Sequence, residues 1–267
     1  METIVIHPLT TGQVRIHEDM ARGRGTGLAR RARILRKGPM GERRPIHAWL
    51  IEHPEGRILV DSGETHAAHD ATFAEFHVTR EDELDAQLRG VGVAPGDVPR
   101  VVLTHIHGDH VNGLPHVAGA TVLAGAKEIR IARSPAAALT RRFTRQPLPP
   151  GFAPQPLALD GPAVGAFPSG TELTPDGRVV AVPTPGHTLG HLSVLVVQPD
   201  HHVLIGGDTA YDQAQLQALH VDGVSPKDGV AKATMRRILD HAKAHPTVYL
   251  PSHDPESVDR LRATATL

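Results

Sequence analysis

The segment Thr-His-Ile-His-Gly-Asp-His at 104–110 limits the possible folds and functions of this chain more than any other feature. It directly follows an apolar run typical of a buried strand. Side chains alternate along a strand, so His105 and His107 are predicted to project to the same side. Asp109 and His110 then enter from the start of the next helix. Burying three histidines and an aspartate without partners would cost several kcal/mol. We therefore interpret the segment as metal ligands at the C-terminal end of a strand.

Composition limits the metals and the classes of protein that fit. The 267 residues include 19 histidines and no cysteine. Imidazole and carboxylate must then hold any metal, which suits zinc, iron or manganese. The net charge of −1 gives no global attraction to nucleic acid or membranes. No apolar run reaches the roughly 18–20 residues of a membrane span, and Met1–Thr10 lacks the features of a signal peptide. These observations predict a cytoplasmic protein.

Four groups do not complete two metal sites, so more ligands are needed. Three further candidates occur singly along the chain. They are His187, Asp208 and His253, and each follows a predicted strand. Each lies beside glycine or proline at a strand end, where binding residues are common. Singly they are weak evidence, but together with the histidine cluster they predict a two-metal centre.

Hydrophobic periodicity predicts alternating strands and helices without an internal repeat, which indicates an α/β class. The predicted strands are Ile4–Ile6, Ala48–Glu52, Arg57–Val60, Val101–Leu103, Thr121–Leu123, Val179–Val182, Leu192–Val197, His202–Ile205 and Thr247–Leu250. The predicted helices are Glu81–Arg89, Ala126–Arg133, Asp228–Ala244 and Pro255–Arg262.

Two stretches lack a clear structural pattern. Arg22–Arg44 holds nine Lys or Arg residues against the single acid Glu42. It fits either an anion-binding loop or a solvated, mobile surface loop, and we favour the second. Ser134–Gly170 is rich in proline, alanine and glycine. After a first helical turn it has no clear periodicity and is predicted to be a long loop, which is usually functional or disordered.

The motif set resembles that of the metallo-β-lactamase superfamily. The signature His-x-His-x-Asp-His matches residues 105–110, the three later single ligands match in type and order, and Val60–Gly63 matches an early Asp-x-Gly strand end. The resemblance implies one domain, 1–267, with an αββα sandwich of two mixed sheets flanked by helices. It implies one zinc ion held by His105, His107 and His187. It implies a second held by Asp109, His110 and His253, with Asp208 bridging both.

Within that superfamily, the chain most resembles the N-acyl homoserine lactonases. It shares their length and the motif Asp-x-x-Tyr at Asp208–Tyr211, and the segments Thr184–Thr188 and Ser252–Asp254 are also similar. It departs at Gly108, where these lactonases often carry a bulky residue, and in the length of Ser134–Gly170. Both departures affect the predicted substrate pocket.

The resemblance also implies a mechanism. A hydroxide bridging two zinc ions would attack the lactone carbonyl, and Tyr211 would donate a hydrogen bond to the developing oxyanion. Asp109 would orient the nucleophile and pass its proton to the leaving oxygen. Asp61 would accept a hydrogen bond from the second ring nitrogen of a ligand histidine. His191 would either act in the same layer around the ligands or simply pack. The residues predicted to line an acyl groove are Met20, Leu28, Phe143, Leu148 and Phe152.

Alternatives to the lactonase remain open at this point. The same fold and metals suit a phosphotriesterase or general esterase. An RNA-processing nuclease would use Arg22–Arg44 to grip the backbone, but the chain lacks the charge and the aromatic pattern for that role. A binding protein without catalysis is disfavoured because all seven ligands are present. We predict two zinc ions, with iron, manganese or cobalt as substitutes. The predicted partner is a small lactone or ester, without nucleic acid or membrane, in a possible homodimer.

Overall fold

A computed structural model describes residues 2–34, 38–71 and 73–267. The chain divides into two compact units. The N-terminal unit comprises Val5–His17 and Pro39–Leu157, and the C-terminal unit comprises Met1–Ile4, Glu18–Gly38 and Ala158–Leu267. Each unit contains one sheet. Within the described ranges, no helix has the length and apolar character needed to cross a membrane.

Within the described ranges all nine predicted strands are present, several of them longer than predicted, together with three short strands that were not predicted. The strands are β1 (Val5–His17), β2 (Met40–His53), β3 (Gly56–Val60), β4 (Ala74–His77), β5 (Arg100–Leu103), β6 (Thr121–Gly125), β7 (Gln155–Leu157), β8 (Thr171–Glu172), β9 (Val179–Pro183), β10 (Leu192–Val197), β11 (His202–Gly207) and β12 (Thr247–Pro251). The α-helices are α1 (Glu18–Ala21), α2 (Gly27–Ile34), α3 (Leu84–Gly90), α4 (Gly108–Val111), α5 (Ala126–Ala132), α6 (Pro135–Thr144), α7 (Gln213–Gln217), α8 (Asp228–Ala244) and α9 (Ser257–Ala263).

The sheet of the N-terminal unit has the order β4-β1-β2-β3-β5-β6-β7 and is mixed. β1, β2 and β3 form antiparallel pairs, whereas β3, β5, β6 and β7 run parallel. Neighbouring parallel strands end at the same sheet edge, so Asp61 after β3 and the 104–110 segment after β5 emerge together. The backbone confirms this placement, because Asp61 N donates to Val102 O at 3.0 Å.

The first strand runs through Gly12 and extends well beyond the predicted Ile4–Ile6. Gly12 adopts φ +99°, and the register between β1 and β2 shifts between Thr10 and Gln13. A Cβ at Gly12 would lie 2.9 Å from His77 O on the neighbouring β4. The glycine therefore forms a bulge inside a continuous strand.

The sheet of the C-terminal unit has the order β12-β11-β10-β9-β8. β11 and β12 are parallel, and every other pairing is antiparallel. β9, β11 and β12 consequently point in the same direction and end at one edge. His187, Asp208 and His253 follow these three strand ends, so the sheet topology gathers them at that edge.

Both stretches without a predicted pattern contain regular structure, which corrects the loop predictions. In Arg22–Arg44 the structure has α2 and the start of β2, while residues 35–37 lie outside the described residues. In Ser134–Gly170 it has α6 and β7. The side chain of Ser134 accepts a hydrogen bond from Ala137 N at 3.2 Å, and Pro135 occupies the first helical position. Serine as the cap and proline as the next residue are a strong start signal that outweighs weak periodicity.

A cluster of histidines in the C-terminal unit makes its stability depend on pH. His241 in α8 is buried, its Nε2 lies 3.0 Å from His202 Nδ1, and its ring centroid is 4.9 Å from that of His245. Burial, reinforced by the charges of His202 and His245, lowers the pKa of His241 to about 4. Histidine in an unfolded chain titrates near pH 6.5. The unfolded state therefore binds more protons between about pH 6.5 and 4, and the free energy of unfolding falls as pH drops through that window.

We expect His241→Gln to flatten this pH dependence. Relative to the variant, the wild-type free energy of unfolding should fall by an additional amount of about 3 kcal/mol between pH 7 and pH 4. Urea unfolding at a series of pH values measures the slope. His77→Gln, at an exposed histidine, is the matched control and should retain the wild-type slope. Equal slopes in all three proteins would contradict the assignment to His241.

Candidate metal-binding residues

The N-terminal unit holds the histidine cluster at the end of β5. His105 is fully buried, and its Nε2 lies 3.0 Å from His107 Nδ1. The ring centroids of His105 and His110 are 4.1 Å apart. Zinc–nitrogen bonds of about 2.0–2.1 Å place tetrahedral ligand atoms roughly 3.4 Å apart, so the His105–His107 spacing is close to that of shared ligands. α4 begins directly after His107, so Asp109 lies in its first turn.

The buried carboxylate of Asp61 contacts both Thr104 and His110. Its Oδ1 accepts from Thr104 N at 2.7 Å, and its Oδ2 accepts from Thr104 Oγ1 at 2.8 Å. The same Oδ2 lies 2.8 Å from His110 Nδ1. This contact directs the other ring nitrogen, Nε2, toward Asp109 Oδ1 at 3.8 Å. Asp61 therefore contacts a predicted ligand histidine in the manner of a supporting carboxylate, as the sequence indicated.

The C-terminal unit places Asp208 between two histidines. Asp208 Oδ2 lies 3.5 Å from His187 Nε2, and Asp208 Oδ1 lies 3.4 Å from His253 Nε2. All three side chains are buried. Each carboxylate oxygen thus faces a different histidine, which is the arrangement that a carboxylate needs to bridge two ions. This is the role that the family resemblance implied for Asp208.

Tyr211 lies beside the same three residues. Its ring centroid is 5.9 Å from that of His187 and 5.5 Å from that of His253. Its backbone N–H donates to Gln215 Oε1 at 2.7 Å, which fixes the start of α7 next to it. The buried tyrosine is therefore close to the two histidines that flank Asp208.

Asp222 supports His187, and sequence reasoning missed it. Asp222 Oδ2 lies 3.2 Å from His187 Nδ1, which leaves Nε2 to face Asp208. Asp222 also accepts from Ser225 N at 2.6 Å and from Ser225 Oγ at 2.9 Å. Although burial opposes it, the charge of His187 and these hydrogen bonds hold the pKa of Asp222 below its usual value. The segment Asp-Gly-Val-Ser at 222–225 is a turn signal, but it does not show which histidine the carboxylate reaches.

His191 contacts the backbone of the candidate ligand Asp208. Asp208 N donates to His191 Nε2 at 3.1 Å. His191 Nδ1 lies 2.9 Å from Thr184 Oγ1, which in turn lies 2.8 Å from Ser193 Oγ. The histidine therefore links the start of β10 to the backbone of the predicted bridging ligand.

Arg30 is buried, which corrects the interpretation of the basic stretch as a solvated loop. It lies in α2 at 1% exposure. Its Nη2 donates to Ser225 O at 2.5 Å and pairs with Asp228 Oδ1 at 2.8 Å. Since Ser225 also binds Asp222, Arg30 holds the turn that positions the support of His187.

We expect Arg30→Gln to lower the free energy of unfolding by about 2 kcal/mol, because it removes one partner of a largely buried ion pair and hydrogen bond. Arg31→Gln, on the exposed side of α2, is the control and should stay within about 0.5 kcal/mol of wild type. Thermal and urea unfolding of the three proteins give the comparison. Equal effects at the two positions would show that Arg30 behaves as a solvated residue.

A cavity of about 330 Å³ opens in the N-terminal unit between segments 64–69 and 145–150. The buried Glu64 lines it and accepts from Asn112 Nδ2 at 2.9 Å and from Thr65 N at 2.9 Å. Burial raises the pKa of Glu64 to about 7. A Cβ on Gly108 would lie 3.0 Å from Asn112 Nδ2, so a bulky residue there would displace this polar pair.

The five residues predicted to line an acyl groove have different environments. Leu148 lines the cavity, and Phe152 packs against the core of the N-terminal unit. Phe143 is 79% exposed on α6. Met20 is partly buried in the C-terminal unit, and the side chain of Leu28 lies outside the described residues. Of the four predicted residues whose side chains the structure describes, only Leu148 lines the cavity.

Residues 41–253 match the family model described as the metallo-beta-lactamase superfamily. The chain belongs to the metallo-β-lactamase superfamily. Its fold is accordingly α/β, with two mixed sheets flanked by helices, which confirms the predicted fold class. The superfamily is one of metal-dependent hydrolases, and the histidine and aspartate groups described above fit divalent metal ions.

The comparisons also reveal lactonases among the relatives. The chain is 31% identical over 232 residues to the N-acyl homoserine lactonase AttM of Azorhizobium caulinodans, covering 80% of this chain and 83% of the relative. An N-acyl homoserine lactone hydrolase with N-hexanoyl-L-homoserine at its catalytic metal centre has a TM-score of 0.75 at 20% identity, covering 97% and 96%. AidC, a dizinc quorum-quenching lactonase, has a TM-score of 0.67 at 15% identity, covering 96% and 89%. These solved structures support the fold.

Proposed function

We propose that this protein is a quorum-quenching lactonase that opens the ring of N-acyl homoserine lactones at a centre of two divalent ions. The observation that carries the proposal is the position of Asp208, with one carboxylate oxygen toward His187 and the other toward His253. The substrate class comes from the lactonase relative, which is similar over four-fifths of this chain.

The proposed ligands follow the family pattern. One ion would be held by His105, His107 and His187. The other would be held by Asp109, His110 and His253, with Asp208 shared by both. Zinc fits this set of imidazoles and carboxylates, and iron, manganese or cobalt are alternatives.

The support around these ligands explains why they are ready to bind. Asp61 and Asp222 each contact the Nδ1 atom of a histidine, so the Nε2 atoms of His110 and His187 remain for a metal. This orientation reduces the entropy lost on binding and increases ligand basicity. When bound, the two ions supply a hydroxide nucleophile at neutral pH and polarise the substrate carbonyl.

The chain's own groups would complete the reaction. Tyr211 would donate a hydrogen bond to the carbonyl oxygen as negative charge develops on it. Asp109 would orient the attacking group and carry its proton to the ring oxygen that leaves. The ring C–O bond breaks as the new C–O bond forms, so the product is an N-acyl homoserine with a free hydroxyl and a carboxylate, and net addition of water releases one proton to solvent at neutral pH. Arg30, at the centre of the basic stretch, is held in a buried ion pair, which disfavours the nuclease alternative.

The test of substrate class is an assay of the zinc-loaded protein against an N-acyl homoserine lactone, a phosphotriester, a simple aryl ester and a β-lactam. We expect kcat/KM to be highest for the lactone, with the ring-opened product identified by mass spectrometry. A phosphotriester or aryl ester turned over faster than every lactone tested would overturn the lactonase proposal and favour the esterase alternative.

We expect Tyr211→Phe to lower kcat and kcat/KM together by about 10- to 100-fold, because a metal ion shares the stabilisation of the oxyanion. Metal content and folding should be unchanged, since only one oxygen is removed. Tyr249→Phe removes the chain's other buried phenol, which contacts Thr209 Oγ1 at 2.6 Å, and should reduce stability more than it reduces kcat. Full activity of Tyr211→Phe with normal metal content would show that the residue only packs.

A further inference from the structure

A second group of metal-binding side chains lies in the N-terminal unit, outside the seven family ligands. It comprises His66 in the segment after β3, Glu83 at the N-cap of α3, Asp85 in the first turn of α3, and His116 in a short 3-10 helix, Leu114–Val117. Three separate parts of the chain therefore bring two imidazoles and two carboxylates together.

The distances among Glu83, Asp85 and His116 fit ligands of one ion, and His66 contacts Glu83 from the other side. One potential metal-ligand atom from each of Glu83, Asp85 and His116 lies within 4.8 Å of the other two. His116 Nδ1 is 3.3 Å from Asp85 Oδ1, and His116 Nε2 is 3.8 Å from Glu83 Oε2. His66 Nδ1 contacts Glu83 Oε1 directly. The 3.8 Å separation is too long for a hydrogen bond but lies within ion-pair distance, so His116 has one ring nitrogen toward each of the two carboxylates.

The positions and ionisation of the two carboxylates, Glu83 and Asp85, suit metal binding. Glu83 is 6% exposed and, although it is the N-cap residue, its side chain makes no capping hydrogen bond. Asp85 pairs with Arg89 through Oδ2, which leaves Oδ1 toward His116. Although burial opposes it, the contact with His66 lowers the pKa of Glu83. For Asp85, Arg89 and His116 likewise outweigh burial and lower the pKa. Both groups are thus ionised at neutral pH, as metal binding requires.

We propose that Glu83, Asp85 and His116 form a separate binding site for a divalent ion of the zinc class, and that His66 positions Glu83. An imidazole nitrogen beside two carboxylates suits zinc or cobalt, whereas magnesium and calcium favour oxygen ligands alone. The ion would join α3 to the 3-10 helix, and the contact between His66 and Glu83 connects the segment after β3 to the site.

The site has a structural consequence at the cavity. His66 belongs to the segment 64–69, and its neighbours Thr65 and Ala67 line the cavity. Fixing His66 against Glu83 therefore fixes one wall of that cavity. The ion is expected to protect the segment 64–69 from proteolysis, a readout that does not depend on catalysis.

The test compares zinc binding by the full-length wild-type protein, His116→Asn and the control His77→Asn. We expect the variant His116→Asn to bind one zinc ion fewer than the wild type, or to bind it at least about 10-fold more weakly. His77→Asn should match the wild type. Excess magnesium should not displace the additional ion. Because the measurement is a difference between variants, it holds whatever number of ions the seven family ligands take up.

Anomalous scattering at the zinc edge from zinc-soaked crystals locates the ion. We expect a peak between His116 and Glu83 that is absent in His116→Asn and weaker in His66→Asn. If the map shows this peak but no peak among the seven proposed ligands of the family pattern, the proposed function would be contradicted and the second site would stand. No peak at the cluster, with equal zinc content in wild type and His116→Asn, would overturn the second site.

Discussion

Replacing Asp208 with alanine is expected to remove lactone hydrolysis and to lower the affinity for both metal ions. The reason is geometric, because its two carboxylate oxygens face His187 and His253 separately. Replacing a residue that only supports a ligand typically costs 10- to 100-fold in metal affinity or activity, so a shared ligand should cost more than about 100-fold. Metal content after dialysis and kcat/KM for an N-acyl homoserine lactone measure the two effects.

The control for this substitution is Asp259→Ala, whose side chain is 83% exposed in α9. It should retain wild-type metal content and activity. Loss of a single ion in Asp208→Ala, with the other bound at wild-type affinity, would show that Asp208 is an ordinary ligand of one ion rather than a bridge.

Asp61→Asn is expected to reduce both stability and metal affinity. The carboxylate accepts two hydrogen bonds from Thr104 and contacts His110 Nδ1, all in a fully buried setting. Asparagine tolerates the observed φ of +61°, so backbone strain is not the cause of the effect. Loss of the charged acceptor should lower the free energy of unfolding by about 2–4 kcal/mol. Metal affinity should fall by about 10- to 100-fold, because His110 loses its orientation.

Asp97→Asn, in the exposed 3-10 helix Pro95–Asp97, controls for the loss of one negative charge in the same unit. It should change the free energy of unfolding by no more than about 0.5 kcal/mol. If Asp61→Asn keeps wild-type stability and metal affinity, the carboxylate only fills space next to His110.

The seven candidate ligands could be named from sequence because each follows a strand end, and strand ends are readable from apolar runs and turns. The order of the sheets then explains why His187, Asp208 and His253 share an edge. That order depends on pairings such as β11 with β12, which lie more than 40 residues apart in sequence and which local periodicity does not reveal.

The supporting residues were harder to predict because their partners are remote in sequence. Arg30 reaches Ser225 across 195 positions, and Asp222 reaches His187 across 35. An arginine in a basic stretch is usually solvated, so composition predicted an exposed Arg30 where the structure has a buried one. Burial in the tertiary structure decides such cases. The bulge at Gly12 is similar, because a glycine within a strand pattern indicates either an end or a bulge until its neighbour is known.

The decisive measurement is a titration of zinc into metal-free protein, with lactone opening followed in the same sample. We expect no ring opening without metal. Activity should rise with added zinc and saturate when the seven proposed ligands hold about two ions per chain, not counting any ion that His116→Asn loses. Lactone opening that persists in metal-free protein, or zinc-saturated protein that leaves every N-acyl homoserine lactone intact, would contradict a metal-dependent lactonase.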